Sequence, residues 1–153
     1  FLISPNIGEP LKPLSKIASG GEISRVILAI KTIFAETDNV NTVIFDEIDT
    51  GISGKTSQSV AEALAEIGYC HQVLCITHQP IIAAMADKHL YINKIQEGIS
   101  TKIFIKELSY DERINTLSSL ASGSDNDKDS LNFAAKLLEQ AKTIKERFNT
   151  YIV

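Results

Sequence analysis

Two kinds of apolar spacing alternate along the first half of the chain. From Gly21 to about Glu36, apolar residues recur three and four positions apart, which predicts an amphipathic helix. TVIFD, from Thr42 to Asp46, is a continuous apolar run, which is typical of a strand buried on both faces of a parallel sheet. Spacing predicts a second helix with Val60, Ala61, Leu64 and Ile67 on its apolar face, and VLCIT predicts a second buried strand at Val73–Thr77. The apolar face of the first helix is expected to consist of Ile23, Val26, Ile27, Ile30, Ile33 and Phe34.

The rest of the chain predicts a hairpin and a helical tail. KHLYIN and TKIFIKEL alternate apolar and polar residues, as two strands joined around Gln96 to Ser100 would. A short helix is expected after Pro80, another at Asp111–Leu120 and a longer amphipathic one at Leu131–Phe148. We therefore predict an α/β fold, with a mostly parallel sheet flanked by helices, a small β-hairpin and a helical tail.

Composition narrows the class of protein without defining it. With 153 residues, 44% of them apolar, the chain suits one folded domain, and a net charge of −4 argues against a strong basic surface for nucleic acid. Cys70 and Cys75 fit neither a zinc site nor a redox pair and are expected to be reduced, packed thiols. The sequence has neither a membrane-span run nor a signal peptide, so we expect a cytosolic protein.

GISGKT shares residues with a phosphate-binding loop but does not have its spacing. Such a loop needs four residues between its first glycine and the Gly-Lys pair, because the long bend wraps backbone N–H groups around the phosphates. Here only two residues separate Gly51 from Gly54, and the first-glycine position holds Asp49, an acid that repels phosphate. No other stretch fits the pattern, so the chain lacks a phosphate loop.

Polar residues that follow the two predicted buried strands are the better candidates for chemistry. Asp46 and Glu47 end the first strand, where one acid can hold Mg²⁺ and the next can deprotonate water. His78 follows the second strand and can contact a phosphate or that water. The structural alternative is that all three simply mark strands leaving the core. His71 and His89 have no comparable setting.

ASGGE, at the start of the first helix, allows two interpretations. Ser19 and Glu22 form the S-x-x-E pattern of a capping box. Gly20 and Gly21 are not needed for a cap, and each costs about 1 kcal/mol relative to alanine in a helix. They leave backbone N–H groups bare at the positive end of the helix dipole, which favours an anion site, such as a phosphate contact.

In this order the motifs resemble the second half of an ABC-type ATPase head. ASGGE is similar to the signature motif, VIFDE to the Walker B strand, IDTGISG to the D-loop and THQP to the switch histidine. Transporter ATPases usually have proline after the Asp-Glu pair, whereas this chain has Ile48. SKIASGGEISRVILAIKTIF together with VIFDEIDTGISG resembles the RecN family of bacterial DNA-repair proteins, relatives of the SMC proteins. The likeness is strong over residues 1–93 (signature, Walker B, D-loop and switch-histidine region) and weaker over 94–153 (hairpin and tail).

The resemblance implies a role for each matching residue. Asp46 would help to hold Mg²⁺, Glu47 would be the general base for water attack on the γ-phosphate of ATP, and His78 would contact that phosphate. Asp49 would lie on the D-loop at the junction of two heads. ATP held on the second head of a homodimer would be bound by Ser19, Gly20, Gly21 and Glu22.

The resemblance also implies a larger protein. The Walker A half and the coiled-coil arm are absent, so residues 1–153 would be the C-terminal lobe of a head, inactive alone but an ATPase in the intact protein. That protein would couple ATP binding and hydrolysis to DNA binding or bridging in double-strand-break repair, with the recombinase RecA as a partner, at the bacterial nucleoid and without a membrane. The alternatives are a head of another SMC-like or ABC-type ATPase and a non-catalytic docking module of the same fold.

Overall fold

The protein is described by a computed structural model over residues 2–4, 8–13, 16, 19–35, 37, 39–97, 100–123 and 127–149. The predictions for Ala18, Glu36 and the hairpin turn at 98–99 lie outside these residues. The chain forms two compact units, Phe1–Thr77 and His78–Val153. The functional division after residue 93 stays a prediction; in the structure this position lies within a strand of the second unit.

The first unit contains a βαβ crossover, which joins two parallel strands through a helix. Its elements are β1 (Leu2–Ile3), β2 (Lys12–Pro13), α1 (Gly20–Phe34), β3 (Thr42–Phe45), α2 (Lys55–Ile67) and β4 (Gln72–Cys75). β1 and β2 pair antiparallel, whereas β3 and β4 pair parallel, from Thr42 beside Gln72 to Phe45 beside Cys75. The Ile76 amide then donates to the Phe45 carbonyl at 2.9 Å, which continues the parallel ladder past the end of β4.

The core of the first unit lies on one side of the parallel pair. Val43 and Phe45 point into it from β3, and α2 buries all four residues that its spacing predicted: Val60, Ala61, Leu64 and Ile67. Removing such side chains from water stabilises a fold by about 1.5–3 kcal/mol for each large aliphatic or aromatic residue. The one-residue alternation along β3 therefore fixes which face of the strand is inside.

The prediction of two buried strands is wrong, because Ile44 of β3 and both Leu74 and Ile76 at β4 are exposed. β3 is buried on one face only, because Ile44 is 65% exposed between buried Val43 and Phe45. The predicted apolar face of α1 is also largely uncovered, and Ile33 is 76% exposed. The reason is that the described sheet has two strands and no further layer over these side chains. We call the following set the uncovered apolar side chains: Ile27, Ile30, Ile33, Phe34, Ile44, Leu74 and Ile76.

The second unit combines a hairpin with three helices. Its elements are α3 (Pro80–Met85), β5 (Leu90–Glu97), β6 (Ser100–Glu107), α4 (Tyr110–Ser122) and α5 (Lys128–Asn149). β5 and β6 pair antiparallel, with Ile92 opposite Ile105, so the predicted hairpin is confirmed. The helices surround buried Leu117, Leu138 and Ala141.

The architecture is α/β, but the description of a mostly parallel sheet is not confirmed. Of the three two-stranded sheets in the described residues, one is parallel and two are antiparallel. The parallel sheet stops at two strands because the described chain contains a single βαβ crossover. None of the described helices has the length and apolar composition that crossing a membrane requires.

Candidate functional site

The start of α1 lies against the turn that follows β3. We call residues Asp46–Thr50 the acidic turn. Asp46 and Glu47 are both exposed there. A Cβ built on Gly20 would lie 2.6 Å from Glu47 Oε2, which shows how closely the Glu47 carboxylate approaches the first residue of α1. The fold thus brings together two of the predicted motifs, the Ser-Gly-Gly helix start and the Asp-Glu pair.

Ser19 is the N-cap of α1, as the sequence predicted. Its backbone is extended, with φ −116° and ψ 134°, and its Oγ accepts a hydrogen bond from the Glu22 amide at 3.3 Å. This bond satisfies one of the N–H groups that have no partner within the helix. The cap and an anion site are compatible, because the other amides of the first turn keep their orientation at the positive end of the helix.

Gly20 and Gly21 are glycines for different structural reasons. Gly21 is buried, and a Cβ there would lie 2.8 Å from the Glu47 carbonyl oxygen and 3.2 Å from Thr50 Cβ. Since the first of these neighbours is backbone, α1 can pack on the acidic turn only if this residue has no side chain. At Gly20 a Cβ would meet only the mobile end of the Glu47 side chain. Sequence reasoning explained both glycines by bare N–H groups and missed the packing at Gly21.

The acidic turn has an unusual backbone held by several hydrogen bonds. Glu47 has φ +58°, the left-handed region, in which a residue other than glycine is strained by about 1–3 kcal/mol. The Glu47 amide donates to Asp46 Oδ1 at 2.9 Å, and the Glu47 carbonyl accepts from the Thr50 amide at 3.0 Å. From α1, Ser24 Oγ donates to the Asp46 carbonyl at 3.0 Å. These bonds stabilise a conformation that the isolated turn would not keep.

Asp49 faces the interior of the first unit. It is 3% exposed, and its Oδ2 accepts a hydrogen bond from Thr77 Oγ1 at 2.6 Å. Burial, together with the charges of Asp49 and Asp46, raises the pKa of the Cys75 thiol to about 12. The predicted burial of both cysteines holds in part, because Cys75 is half-buried but Cys70 is exposed; both are free thiols.

The remaining candidate is His78. It is exposed and is the first residue of the second unit. His71, to which the sequence assigned no role, is buried, with Nδ1 2.5 Å from the Val40 carbonyl oxygen. Burial and the charge of Arg113 lower the pKa of His89.

GISGKT forms a turn and then a helix start. Gly51 and Gly54 have φ of +72° and +55°, and Lys55 is the first residue of α2. Both glycines therefore allow turns with positive φ, and the segment does not form a loop that wraps around an anion.

The acidic turn has a carboxylate that suits Mg²⁺, and the start of α1 has a position that suits a nucleotide phosphate. Mg²⁺ usually keeps several waters and takes one or two carboxylates, a requirement that exposed Asp46 meets, although the described residues contain no cluster of three such ligands. At α1, the Glu47 carboxylate lies against the space that a Cβ on Gly20 would fill, with Oε2 2.6 Å from that Cβ. A phosphate there would displace the Glu47 carboxylate, which its exposed side chain allows.

Over most of its length the chain is similar to bacterial proteins named DNA repair protein RecN. No protein-family model matches it. It is 48% identical over 145 residues to the DNA repair protein RecN of Bacillus subtilis strain 168 and 46% identical over 138 residues to that of Treponema pallidum strain Nichols. These alignments cover 95% and 90% of this chain, but 25% and 24% of the relatives. The predicted resemblance to RecN is confirmed: this is a RecN-like chain that spans about a quarter of the length of the relatives it matches.

One solved structure also resembles the chain. It comes from a study of ATP-driven dimerization and DNA-stimulated activation of SMC ATPases, and it is 23% identical with a TM-score of 0.49. The alignment covers 75% of this chain and 68% of that one. A TM-score of this size is too low to establish a shared fold.

Proposed function

We propose that this chain is the C-terminal lobe of an ABC-type ATPase head in a RecN-like protein. The proposal rests chiefly on one observation: Glu47, of the Asp-Glu pair that follows β3, lies against the glycines at the start of α1. It is supported by the sequence identity to DNA repair proteins named RecN. The reaction is hydrolysis of ATP with Mg²⁺, carried out by the intact protein.

The acidic turn supplies the reacting groups. Asp46 holds Mg²⁺, which neutralises phosphate charge when bound. Glu47 accepts a proton from the water that attacks the γ-phosphate, since its exposed carboxylate is open to solvent. His78 is the switch residue that contacts the γ-phosphate.

The start of α1 serves the second head of a homodimer. The amides of the first turn of α1 bind ATP that is held on the second head, and Glu22 lies in the same turn. Asp49 lies in the loop at the head–head junction. Because the Asp49 carboxylate is buried against Thr77, it acts by shaping this loop from inside.

Part of the head comes from elsewhere in the polypeptide. The sequence has no phosphate loop, so another segment supplies the phosphate cradle. The uncovered apolar side chains are a surface for that segment, because they are the residue types that usually lie in a core. Because the chain spans about a quarter of the length of its relatives, the rest of such a polypeptide is long enough to supply this segment.

In the intact protein, ATP binding and hydrolysis drive DNA binding or bridging in double-strand-break repair, in cooperation with RecA. The name that the relatives carry, DNA repair protein, supports a role in DNA repair. The DNA and RecA surfaces belong to the intact protein, consistent with the absence of net positive charge on this chain.

The proposal is tested by Glu47→Gln in the full-length protein. We expect ATP hydrolysis to fall by roughly 10²–10⁴-fold while ATP binding persists, because the amide cannot accept the proton. Glu62→Gln, on α2 and away from the acidic turn, is the matched control and leaves turnover unchanged. Normal turnover in Glu47→Gln would exclude the assigned base and favour a docking module.

A further inference from the structure

Arg25 joins the second turn of α1 to the acidic turn. Its Nη1 donates to two backbone carbonyl oxygens, that of Ile48 at 3.1 Å and that of Thr50 at 2.9 Å. Hydrogen bonds from a charged donor are stronger than neutral ones, and a single guanidinium nitrogen here fixes two peptide groups at once.

The bonds from α1 follow a pattern along the acidic turn. Ser24 holds the carbonyl of Asp46, and Arg25 holds those of Ile48 and Thr50. Alternate carbonyls are therefore bound to one helix, on both sides of the strained Glu47. Ser24 and Arg25 lie a few residues after the Ser-Gly-Gly start, so they tie the acidic turn to the same end of α1.

Arg25 also passes close to Gly21. A Cβ on that glycine would lie 3.1 Å from Arg25 Nη1, tighter than an ordinary contact. The glycine thus leaves room both for the acidic turn and for the side chain that binds it. Arg25 lies within the stretch SKIASGGEISRVILAIKTIF, but the sequence analysis assigned it no role.

We propose that Arg25 is a positioning residue for Glu47. It acts through the backbone of the acidic turn: with both carbonyls bound, the turn keeps the conformation that directs the Glu47 carboxylate. This role rests on the proposed function of Glu47 as the base. A misplacement of about 1 Å can lower a rate by roughly 10²-fold, so loss of these bonds affects turnover without any contact between Arg25 and ATP.

The test compares Arg25→Met, Arg25→Lys and the control Lys31→Met in the full-length protein. Methionine keeps an unbranched apolar side chain but removes the donor, and Lys31→Met removes the same charge from the last turn of α1. We expect Arg25→Met to lower kcat by roughly 10–100-fold with the Kd for ATP within about threefold of wild type. Arg25→Lys recovers part of the rate, because one ammonium nitrogen can donate to both carbonyls.

Hydrogen exchange of the amides at residues 47–51 supplies a readout that does not depend on ATPase activity. We expect faster exchange there in Arg25→Met and wild-type exchange in Lys31→Met. Unchanged exchange together with a kcat within twofold of wild type would overturn the proposal, as would a loss of ATP affinity with kcat preserved, which would mean that Arg25 binds the nucleotide.

The two proposals fail in distinguishable ways. If wild type and Glu47→Gln hydrolyse ATP equally, or not at all, the proposed function fails, and the positioning role for catalysis falls with it. If Glu47→Gln is inactive and Arg25→Met is normal, only the positioning role is wrong. Ser24→Ala, which removes the neighbouring bond to the Asp46 carbonyl, replaces Arg25→Met if that variant does not fold; it should show the same faster exchange.

Discussion

Replacing the two glycines of the helix start by alanine, one at a time, should leave the Gly21 variant less stable than the Gly20 variant. The substitutions add the same atom to adjacent positions of the first turn of α1. At Gly21 the new Cβ would lie 2.8 Å from the Glu47 carbonyl oxygen, whereas at Gly20 it would meet only the Glu47 carboxylate, at 2.6 Å from Oε2. The carboxylate can rotate away; the backbone carbonyl can move only if the acidic turn moves with it.

The size of the difference follows from two terms. Alanine is favoured over glycine in a helix by up to about 1 kcal/mol, and this term is similar in both variants. Overpacking against backbone costs about 1–3 kcal/mol and applies only to Gly21. The helix term cancels in the comparison, so Gly21→Ala should be less stable than Gly20→Ala by about 1–3 kcal/mol.

Urea unfolding of this chain, followed through the first unit, measures the comparison. The midpoints should differ, with similar slopes, because the surface exposed on unfolding is nearly the same. Equal stability of the two variants, or a more stable Gly21→Ala, would refute the close packing of α1 on the acidic turn. Ser24→Ala serves as a reference for the loss of a single hydrogen bond to that turn.

Three further predictions concern groups away from the helix start. With a pKa of about 12 instead of 9.0, Cys75 should have roughly 10³-fold less thiolate at neutral pH than an ordinary cysteine, so maleimide should label exposed Cys70 long before Cys75; equal rates would contradict this. A side-chain hydrogen bond from Lys106 and bonds from the N-cap of α4 lower the pKa of Glu112 from 4.5 to about 2. Its contribution to stability is therefore complete above pH 4.5 and lost as the pH falls toward 2, so Glu112→Gln should lessen the drop in urea midpoint between pH 6 and pH 3. Arg113 donates to carbonyls at the end of α3, and Arg113→Met should destabilise the second unit by about 1.5–3 kcal/mol in the same assay; an unchanged midpoint would contradict that role.

Local patterns predicted the elements of this fold well. The spacing of Val60, Ala61, Leu64 and Ile67 identified both α2 and its buried face, and alternation identified the hairpin. These predictions succeed because periodicity and turn residues act within a short stretch of chain.

Burial was predicted less well because it depends on what lies opposite. Ile44 and four apolar residues of α1 are of types that usually lie in a core, yet they are exposed here: Ile27, Ile30, Ile33 and Phe34. A sequence pattern records which side chains prefer burial, not which segment covers them. The prediction of a mostly parallel sheet has the same limit, because such a sheet requires further strands beside β3 and β4.

In the candidate site, the sequence predicted where Ser19, Asp46 and Glu47 lie along the elements but not what they contact. Ser19 as N-cap and the Asp-Glu pair after β3 were found from spacing alone. The packing of Gly21 on Glu47, the Asp49–Thr77 hydrogen bond and the hydrogen bonds of Arg25 were not found, because each joins segments more than 20 residues apart. Only the folded chain brings these residues together.

The most direct test of the account measures Mg²⁺-dependent ATP hydrolysis by this chain, by the remainder of the encoded polypeptide, and by the two mixed. On the proposed function, one lobe lacks the phosphate cradle and the other lacks the base, so each should be inactive alone. The mixture should hydrolyse ATP, and Glu47→Gln in this chain should abolish that activity. Hydrolysis by this chain alone would contradict the account, because it would require a phosphate cradle within these 153 residues.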